Sequence, residues 1–295
     1  MVRLGIVTPV VTMLPRAHAH WEETAGIAEI EQCVVAADRL GYHHATCSEH
    51  VAIPRDVAPV RGARYWDPLA TFGYLAARTR SIRLATHVLV LGYHHPLEIA
   101  KRYGTLYQVC DGRLILGVGV GSLREEFELL GVEFDRRGER ADDALRALRA
   151  SLSKPEPDYT GSDYRYSDMV VDPHATQARV PIWIGGRTAR SLRRAVELAD
   201  GWAPFGLRPA DLASLLSRAR DTAAWSTRSN DDAPFDFVLQ PERPLDPGDD
   251  AAATAATVSD LVDAGATIVN VRVIHHSPAH YVEQLEAMRN IVAIS

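Results

Sequence analysis

Cysteine is scarce in this chain, and its three cysteines lie far apart in the sequence. Cys33, Cys47 and Cys110 are odd in number and form no C-x-x-C pair. A disulfide framework or a zinc knuckle needs closely and regularly spaced cysteines, so the sequence argues against both. We therefore expect reduced thiols, most of them buried.

The sequence also lacks a long hydrophobic run and a lysine-rich block, and we expect its first residues, MVRLGIVTPVV, to be part of the fold and not a leader. Of its 295 residues 46% are hydrophobic, but these are spread along the chain, and the formal net charge is −6. A membrane span needs about 20 consecutive apolar residues, and a nucleic-acid surface needs clustered positive charge. We therefore expect a cytoplasmic protein with a small-molecule partner, and neither a membrane nor a nucleic acid as partner.

Short apolar stretches alternate with helix-like stretches along the whole chain. Eight strand-like stretches are present, at residues 4–8, 44–48, 82–91, 113–119, 181–186, 201–205, 235–240 and 267–273. Strands that alternate with helices indicate parallel βα units, and eight such units favour a closed (β/α)8 TIM barrel of the α/β class over an open sheet. We expect one domain over residues 1–295, with an insertion at about 153–180 that contains a small hairpin.

Alternate glycines follow the fourth strand-like stretch, in GRLILGVGVGSLREEFELLG at residues 112–131. A dinucleotide fingerprint needs G-x-G-x-x-G in the first βα turn, and this segment has neither that spacing nor that place. A strand end without side chains can instead present backbone N–H groups to an anion or a flavin-like ring edge, or it can serve strand-to-helix packing alone. The residues concerned are Gly119, Val120, Gly121 and Ser122.

A second glycine pair follows the fifth strand-like stretch. Gly185 and Gly186 are followed by Arg187 and Thr188, where the next helix is expected to begin. Barrel enzymes often hold phosphate at such late strand ends, and a guanidinium can form charge-assisted hydrogen bonds with it. The alternative is that Arg187 is a solvated residue at the start of a helix.

Taken together, three segments resemble the luciferase-like monooxygenase superfamily, specifically its coenzyme F420-dependent class. They are SEHVAIP (48–54), IRLATHVLVLGYHHPLEIAKRYGTLYQVCDGRLILGVGVGSLREEFELLG (82–131) and PIWIGGRTARSLRRAVELADGW (181–202). The resemblance implies a bacterial luciferase-like TIM barrel with an insertion and a flavin or deazaflavin across its C-terminal mouth. It also implies a homodimer, and hydride or oxygen chemistry on an organic substrate.

The resemblance further implies roles for individual residues. It makes Glu49 and His50 the catalytic pair, since an imidazole can pass a proton as hydride moves. A strand bulge that supports the middle ring of the cofactor, often with a non-prolyl cis peptide, falls on His87 and Val88. The remaining implied cofactor contacts are Thr8, Gly119, Val120, Gly121, Ser122, Gly185, Gly186, Arg187 and Thr188.

Two positions depart from the deazaflavin sugar-phosphate dehydrogenases of the superfamily. Those enzymes have a glutamate directly after the G-x-G element, where this chain has Ser122. They also have a tryptophan near the end of the histidine motif, where this chain has Pro54. The same substrate is therefore not expected, and a cofactor-binding barrel that has lost catalysis is one alternative.

The expected cofactor is coenzyme F420 as a hydride carrier, and FMN in a two-component monooxygenase is the alternative. The loop after the second strand has three arginines that can meet the anionic tail of F420 or remain solvated: Arg55, Arg61 and Arg64. Four aromatic residues can line a substrate pocket or simply pack: Trp66, Tyr93, Tyr164 and Tyr166.

A metal-dependent hydrolase is the rival from another class. Such a barrel needs H-x-H at the end of the first strand and an aspartate at the end of the eighth. His18 and His20 lie well past the first strand, and the eighth strand-like stretch has Arg272 near its end. We therefore predict no metal site.

Overall fold

Eight parallel strands close into a barrel. The computed structural model describes residues 2–292 apart from 16, 178 and 230–233. The barrel strands are β1 (Arg3–Ile6), β2 (His44–Cys47), β3 (Arg83–Thr86), β4 (Leu114–Gly119), β5 (Ile182–Gly185), β6 (Gly201–Ala203), β7 (Asp236–Leu239) and β8 (Ile268–Val271). Each strand pairs in parallel with the next, and β8 pairs with β1, so the sheet closes on itself. The predicted (β/α)8 TIM barrel is confirmed.

Helices surround the barrel. Among the described residues, those that form the outer ring are α1 (Ile27–Arg39), α2 (Pro68–Arg78), α3 (Pro96–Val109), α4 (Arg137–Ser151), α5 (Ala189–Leu198), α6 (Pro209–Arg220), α7 (Ala251–Asp263) and α8 (Pro278–Ile291). Shorter helical segments lie at His20–Glu23, Ala58–Arg61, Leu91–Tyr93, Arg124–Leu129 and Ala223–Ser229. The helix start expected at Asp67 is present, because its side chain accepts a 2.8 Å hydrogen bond from the N–H of Ala70.

Side chains fill the N-terminal part of the barrel bore. The inner apolar cluster consists of Ala85, Ile115, Trp183, Ala203, Val238 and Ile268, each at most 1% exposed. His44 lies edge-on to Trp183, with ring centroids 5.0 Å apart, and its ring takes the space beside Gly5. Because the bore is packed here, the C-terminal mouth is the place for a ligand, as in other TIM barrels.

The third strand is shorter than predicted. The sequence favoured one strand over residues 82–91, but β3 ends at Thr86 and a cis peptide bond joins His87 to Val88. Leu89–Val90 then pairs in parallel with the end of β4. The cis peptide implied by the resemblance is therefore present, at the implied residues.

The insertion packs against α4. Its hairpin pairs Tyr159–Thr160 with Arg165–Tyr166, as expected. The Tyr166 hydroxyl shares a 2.6 Å hydrogen bond with Ser151 Oγ, and Tyr164 lies edge-on to His95. Both tyrosines are buried in the main apolar core, so packing accounts for them and a substrate pocket does not.

The three cysteines are free and buried, as expected. Burial raises the pKa of the Cys33 thiol to about 12, and it also raises that of Cys47. Such thiols stay protonated and unreactive at neutral pH. In the part of the chain that the structure describes, none of the helices is long and apolar enough to span a membrane.

Candidate active site at the barrel mouth

The C-terminal ends of the parallel strands form one rim. The pairing of β4 with β5 brings Gly119 level with Gly185. His50 follows β2 and His87 follows β3 at the same end of the barrel, because these strands run in the same direction. The structure therefore brings the histidine motif, the bulge and both glycine pairs to one rim.

The chain just after β2 holds the cis peptide between His87 and Val88. Ser48 Oγ donates a 2.8 Å hydrogen bond to the carbonyl oxygen of His87. The N–H of Glu49 donates a 3.2 Å hydrogen bond to the carbonyl oxygen of Val88. Both carbonyl groups therefore have hydrogen-bond partners, and these bonds fix the backbone of the bulge at the mouth.

Two glycines leave the space that the side chain of Val88 occupies. A Cβ atom on Gly119 would lie 2.7 Å from Val88 Cγ2, and one on Gly185 would lie 2.5 Å from Val88 Cγ1. Carbon atoms in favourable contact are about 3.5–4.0 Å apart, so a side chain at either glycine would force a shift. These glycines therefore admit the bulge, a role that the sequence pattern did not indicate.

Replacing Gly119 by alanine is expected to lower the free energy of unfolding by about 1–3 kcal/mol, because the added methyl group overpacks against Val88. Gly73→Ala in α2 is the matched control, since no atom lies within 4 Å of a Cβ atom there. Alanine is better than glycine in a helix by about 1 kcal/mol, so the control should be neutral or stabilising. Urea unfolding measures both variants, and equal stability of the two would contradict the assigned contact.

His50 is hydrogen-bonded to a carboxylate that the sequence did not single out. Its Nδ1 lies 2.6 Å from Oε2 of Glu126, in the short helix after the glycines. The side chain of Glu126 is only 1% exposed. Because an ionised carboxylate can only accept, Nδ1 carries the hydrogen. Nε2 has no partner among the residues that the structure describes, and it is left to exchange a proton.

Three further donors hold Glu126 in place. Tyr93 donates its hydroxyl to Oε2 at 2.6 Å, and the N–H groups of Val51 and Ala52 donate to Oε1 at 2.7 and 3.2 Å. Burial alone would raise the pKa of Glu126, but the hydrogen bonds from His50 and Tyr93 outweigh burial and leave that pKa below its ordinary value. The carboxylate therefore stays ionised at neutral pH and orients the imidazole.

Tyr65 lies against the His50 ring. The two rings meet edge to face, with centroids 4.4 Å apart. Tyr65 belongs to a two-residue strand, Arg64–Tyr65, that pairs with Thr12–Met13 from the loop after β1. The loops after β1 and β2 are therefore tied together beside the imidazole, and the aromatic contact restricts its orientation.

Glu49 supports the backbone beyond the bulge. Its Oε2 accepts a 2.7 Å hydrogen bond from the N–H of Val90, and its Oε1 lies 2.7 Å from His94 Nε2. Burial alone would lower the pKa of His94, but the hydrogen bond and the attraction of Glu49 raise it. Both carboxylate oxygens of Glu49 are engaged in this way, although the resemblance implied that it shares the chemistry with His50.

Bare backbone and an arginine meet on the β4 side of the mouth. Gly121 has a φ of +76°, and a Cβ atom there would lie 2.6 Å from the ring of Phe127. Arg61, from the loop after β2, donates to Ser122 Oγ at 3.1 and 3.2 Å. Within the described chain no acceptor faces the N–H groups of Gly121 and Ser122. These donors fit the anionic end of a flavin or deazaflavin.

The second glycine pair leads into α5. Gly186 has a φ of +109°. Thr188 and Ser191 cap the helix reciprocally, with N–H to Oγ distances of 3.1 and 3.2 Å. Arg187 is exposed, and within the described ranges it has no hydrogen-bond or ion-pair partner. On this side of the mouth Arg187 is the side chain available to an anion, whereas Thr188 serves the helix.

Some residues named from the sequence are engaged elsewhere. Thr8 is 2% exposed, and its Oγ1 accepts a 3.0 Å hydrogen bond from the N–H of Thr46. Arg64 donates to the carbonyl oxygens of Glu22 and Glu23 at 2.6 and 2.7 Å. The side chains of Thr8 and Arg64 therefore have hydrogen-bond partners within the protein.

His87 lies deeper in the mouth as a neutral ring. Burial lowers its pKa to about 4. Gln240, just past β7, places its Nε2 3.0 Å from His87 Nε2, so the amide donates and the imidazole accepts. Because His87 stays unprotonated at neutral pH, it shapes the floor of the mouth without adding charge.

Glu126, Tyr65 and Gln240 are the site residues that the sequence did not identify. Glu126 has two other glutamates nearby in LREEFELLG. A search for an acidic residue in the first turn after the glycines would have included it. Tyr65 and Gln240 lie in or beside loops, where the sequence pattern gave no comparable signal.

Comparison with known proteins identifies the family. The model of the luciferase-like monooxygenase family matches residues 8–291. The chain belongs to this family. An uncharacterized protein of Mycobacterium tuberculosis is 31% identical to this luciferase-like chain over 197 residues, which are 63% of this chain and 68% of that protein.

Two solved structures show the same fold as this luciferase-like chain. The monooxygenase RslO1 from Streptomyces bottropensis has a TM-score of 0.77 and 19% identity, with 98% of each chain covered. An F420-dependent secondary alcohol dehydrogenase has a TM-score of 0.75 and 13% identity, with 98% of this chain and 99% of that chain covered. At these identities the likeness concerns the fold alone.

Proposed function

We propose that this luciferase-like protein is an oxidoreductase that transfers hydride between coenzyme F420 and a small organic substrate at the barrel mouth. The observation that carries the proposal is the pair of His50 and Glu126, which leaves Nε2 of the imidazole available for proton transfer. Interconversion of an alcohol and a carbonyl compound moves a hydride at carbon and a proton at oxygen. When bound, the deazaflavin supplies the centre that carries the hydride.

The residues around the bulge have different roles in the proposed reaction. His50 Nε2 takes the proton of the substrate hydroxyl in the oxidation direction and returns it in the reduction direction. Glu126 is a positioning residue, because its charge stabilises the protonated imidazole and its hydrogen bond fixes the ring. Glu49 is also a positioning residue in this proposal, since it holds the backbone after Val88. Val88 would support the flat ring system of the cofactor.

The distribution of arginines around the mouth supports F420 over FMN. Arg61 lies on Ser122 at the β4 side, Arg187 lies beyond β5, and Arg55 is exposed in the loop after β2. The oligoglutamyl tail of F420 carries several negative charges along its length, whereas FMN ends in one phosphate. Guanidinium groups spread along the rim suit the longer anion.

An FMN-dependent monooxygenase is the second candidate. The observation that favours it is the contact of Arg61 with Ser122 beside the free N–H of Gly121, which matches a single phosphate as well as it matches the start of a tail. The monooxygenase RslO1, which has the same fold, is consistent with this alternative. The proton-transfer pair at His50 is less directly needed there, so we place it second.

Titration of the purified protein with F420 and with FMN tests the proposal. We expect F420 to bind at least about tenfold more tightly, and Arg61→Gln to weaken F420 binding by about tenfold, since a hydrogen bond to a charged group contributes about 1.5–3 kcal/mol. Arg39→Gln, at an exposed position of α1, is the control and should leave binding unchanged. Tight FMN binding without F420 binding would contradict the proposal.

A further inference from the structure

We propose that Arg272 binds an anionic group of the substrate, a carboxylate or a phosphate, on the β8 side of the mouth. The inference deepens the proposed function and rests on it, because it places the substrate beside the cofactor at the same rim. It assigns a recognition residue to a substrate whose class is otherwise open. The substrate would then carry a negative charge at a distance from the carbon that is oxidised or reduced.

The strand alternation places Arg272 on the inner side of the barrel. On β8, Ile268 belongs to the inner apolar cluster, whereas Val269 and Val271 belong to the core between the barrel and its helices. Side chains alternate between the two faces of a strand, so Asn270 and Arg272 follow Ile268 toward the mouth. The carbonyl oxygen of Arg272 accepts a 2.8 Å hydrogen bond from Leu245, which fixes the backbone at this point.

The guanidinium of Arg272 is partly buried and unpaired. Among the described residues it has neither a hydrogen bond nor an ion pair. Glu22 attracts it from a distance, but the carboxylate oxygens of Glu22 already accept from the N–H groups of Val10 and Ala19 at 2.7 and 2.8 Å. A charge that is withdrawn from water without a partner is costly, and an anion placed against it removes much of that cost.

Two other partly buried arginines, Arg113 and Arg149, have their donors occupied. Arg113 donates to carbonyl and hydroxyl oxygens at 2.9–3.3 Å, and Arg149 bonds to the Val180 carbonyl and to Asp200. Burial lowers the pKa of Arg272, yet an arginine stays charged in a protein. Its five N–H donors therefore remain free for a ligand that reaches the inner rim.

The neighbouring inward position supports a polar ligand on this side. Asn270 is fully buried, and neither its Oδ1 nor its Nδ2 has a hydrogen-bond partner. Buried amides are nearly always paired. Two successive inward residues with unpaired donors, one in β8 and one just after it, therefore mark this side of the bore as incomplete. Exposed apolar side chains lie in the loops that follow β1, β6 and β8, namely Leu14, Phe205 and Ile274. An anion with an apolar body fits both features.

The site is separate from the anion site proposed for the cofactor. Arg61 and Ser122 lie on the β4 side of the rim, and Arg272 directly follows β8, which is hydrogen-bonded to β1 and β7. In a closed barrel of eight strands, β4 and β8 are on opposite sides. The two arginines therefore bind different anions, the tail of the cofactor on one side and the substrate on the other.

Binding of small anions by the purified protein tests this assignment without turnover. The probes are hexanoate, 1-hexanol as its uncharged match, and inorganic phosphate, each measured by isothermal titration calorimetry at low salt. We expect the wild-type protein to bind hexanoate or phosphate more tightly than hexanol, and Arg272→Gln to weaken anion binding at least about tenfold. Preference for hexanoate would identify a carboxylate substrate, and preference for phosphate would identify a phosphorylated one.

Two further variants serve as controls for this experiment. Arg39→Gln removes an exposed arginine of α1 and should leave anion binding unchanged. Arg272→Lys keeps the charge and should retain part of the affinity even if the glutamine variant folds poorly. Unchanged anion binding in Arg272→Gln would overturn the proposal. A loss of F420 affinity in Arg272→Gln without a loss of anion affinity would also overturn it. That result would leave the hydride-transfer proposal intact. Absence of F420 binding in the wild-type protein, with anion binding intact, would instead defeat the proposed cofactor.

Discussion

The His50→Ala variant is expected to turn over substrate about 100 to 10,000 times more slowly than the wild-type protein. Its affinity for the cofactor should change by less than about threefold, because the imidazole acts on the substrate oxygen in the proposed reaction. The short hydrogen bond to Glu126 and the contact with Tyr65 fix the ring for this task. Alanine removes the proton-transfer atom and leaves the bulge at Val88 untouched.

Rapid-reaction measurement with bound cofactor separates the two quantities in this variant. A panel of alcohols and carbonyl compounds supplies the substrate, and cofactor fluorescence reports the affinity. Added imidazole should restore part of the rate, since a small base can enter the space left by the side chain. His20→Ala is the matched control, because the His20 side chain is 95% exposed. Parallel losses of rate and affinity would show that His50 only binds the cofactor.

The architecture could be predicted because it depends on patterns that are local in sequence. Eight apolar stretches separated by helix-like stretches predict parallel βα units whatever the side chains at the mouth are. The same pattern does not predict where β3 ends. Residues 82–91 form one apolar run, yet the chain turns at His87 and Val88, and no periodicity distinguishes that turn from a continuous strand.

The carboxylate partner of His50 depends on contacts between distant segments. Glu126 and His50 are 76 positions apart, and nothing in either local pattern specifies their 2.6 Å contact. Glu125, Glu126 and Glu128 are equivalent in composition, but the structure buries Glu126 beside Phe127 and exposes the other two. Tertiary packing therefore determines which glutamate contacts His50, whereas the resemblance indicated the position of Ser122.

The roles of the glycines at the strand ends could not be fully predicted, for a different reason. A glycine at a strand end can leave room either for a ligand or for another part of the protein, and the sequence does not distinguish these uses. Gly119 and Gly185 leave room for Val88, whereas Gly121 adopts a positive φ next to Phe127. The volume occupied by a neighbour is a property of the folded chain, so only the structure separates the two roles.

The free energy of unfolding is expected to fall steeply as the pH decreases from about 6.5 to about 4.5. Burial and the positive charges of Arg3 and Arg83 lower the pKa of His43 to about 3. Burial lowers the pKa of His44 well below its ordinary value, and it lowers that of His87 to about 4. In the unfolded chain all three histidines titrate near the ordinary value of about 6.5.

The sign of the effect follows from proton binding. Below about pH 6.5 the unfolded chain binds protons at these positions that the folded chain cannot bind, so acid favours unfolding. One pH unit corresponds to about 1.4 kcal/mol for each histidine held neutral, which gives an upper bound of about 3 kcal/mol per residue over two units. Partial exposure of His43 and of His87 reduces their shares. His94 acts in the opposite direction, because Glu49 raises its pKa in the folded state.

Urea unfolding between about pH 7 and about pH 4.5 measures this dependence before most glutamates titrate. His43→Gln should reduce the slope, because an amide cannot take up the proton that burial excludes, whereas His20→Gln at an exposed position should leave the slope unchanged. His43 stacks on Trp183, which bonds to Asp236, so the variant also changes packing at the base of the barrel. That packing loss lowers stability equally at every pH, and only the slope reports the histidine. A slope that stays flat in the wild-type protein would show that protons reach these rings in the folded barrel.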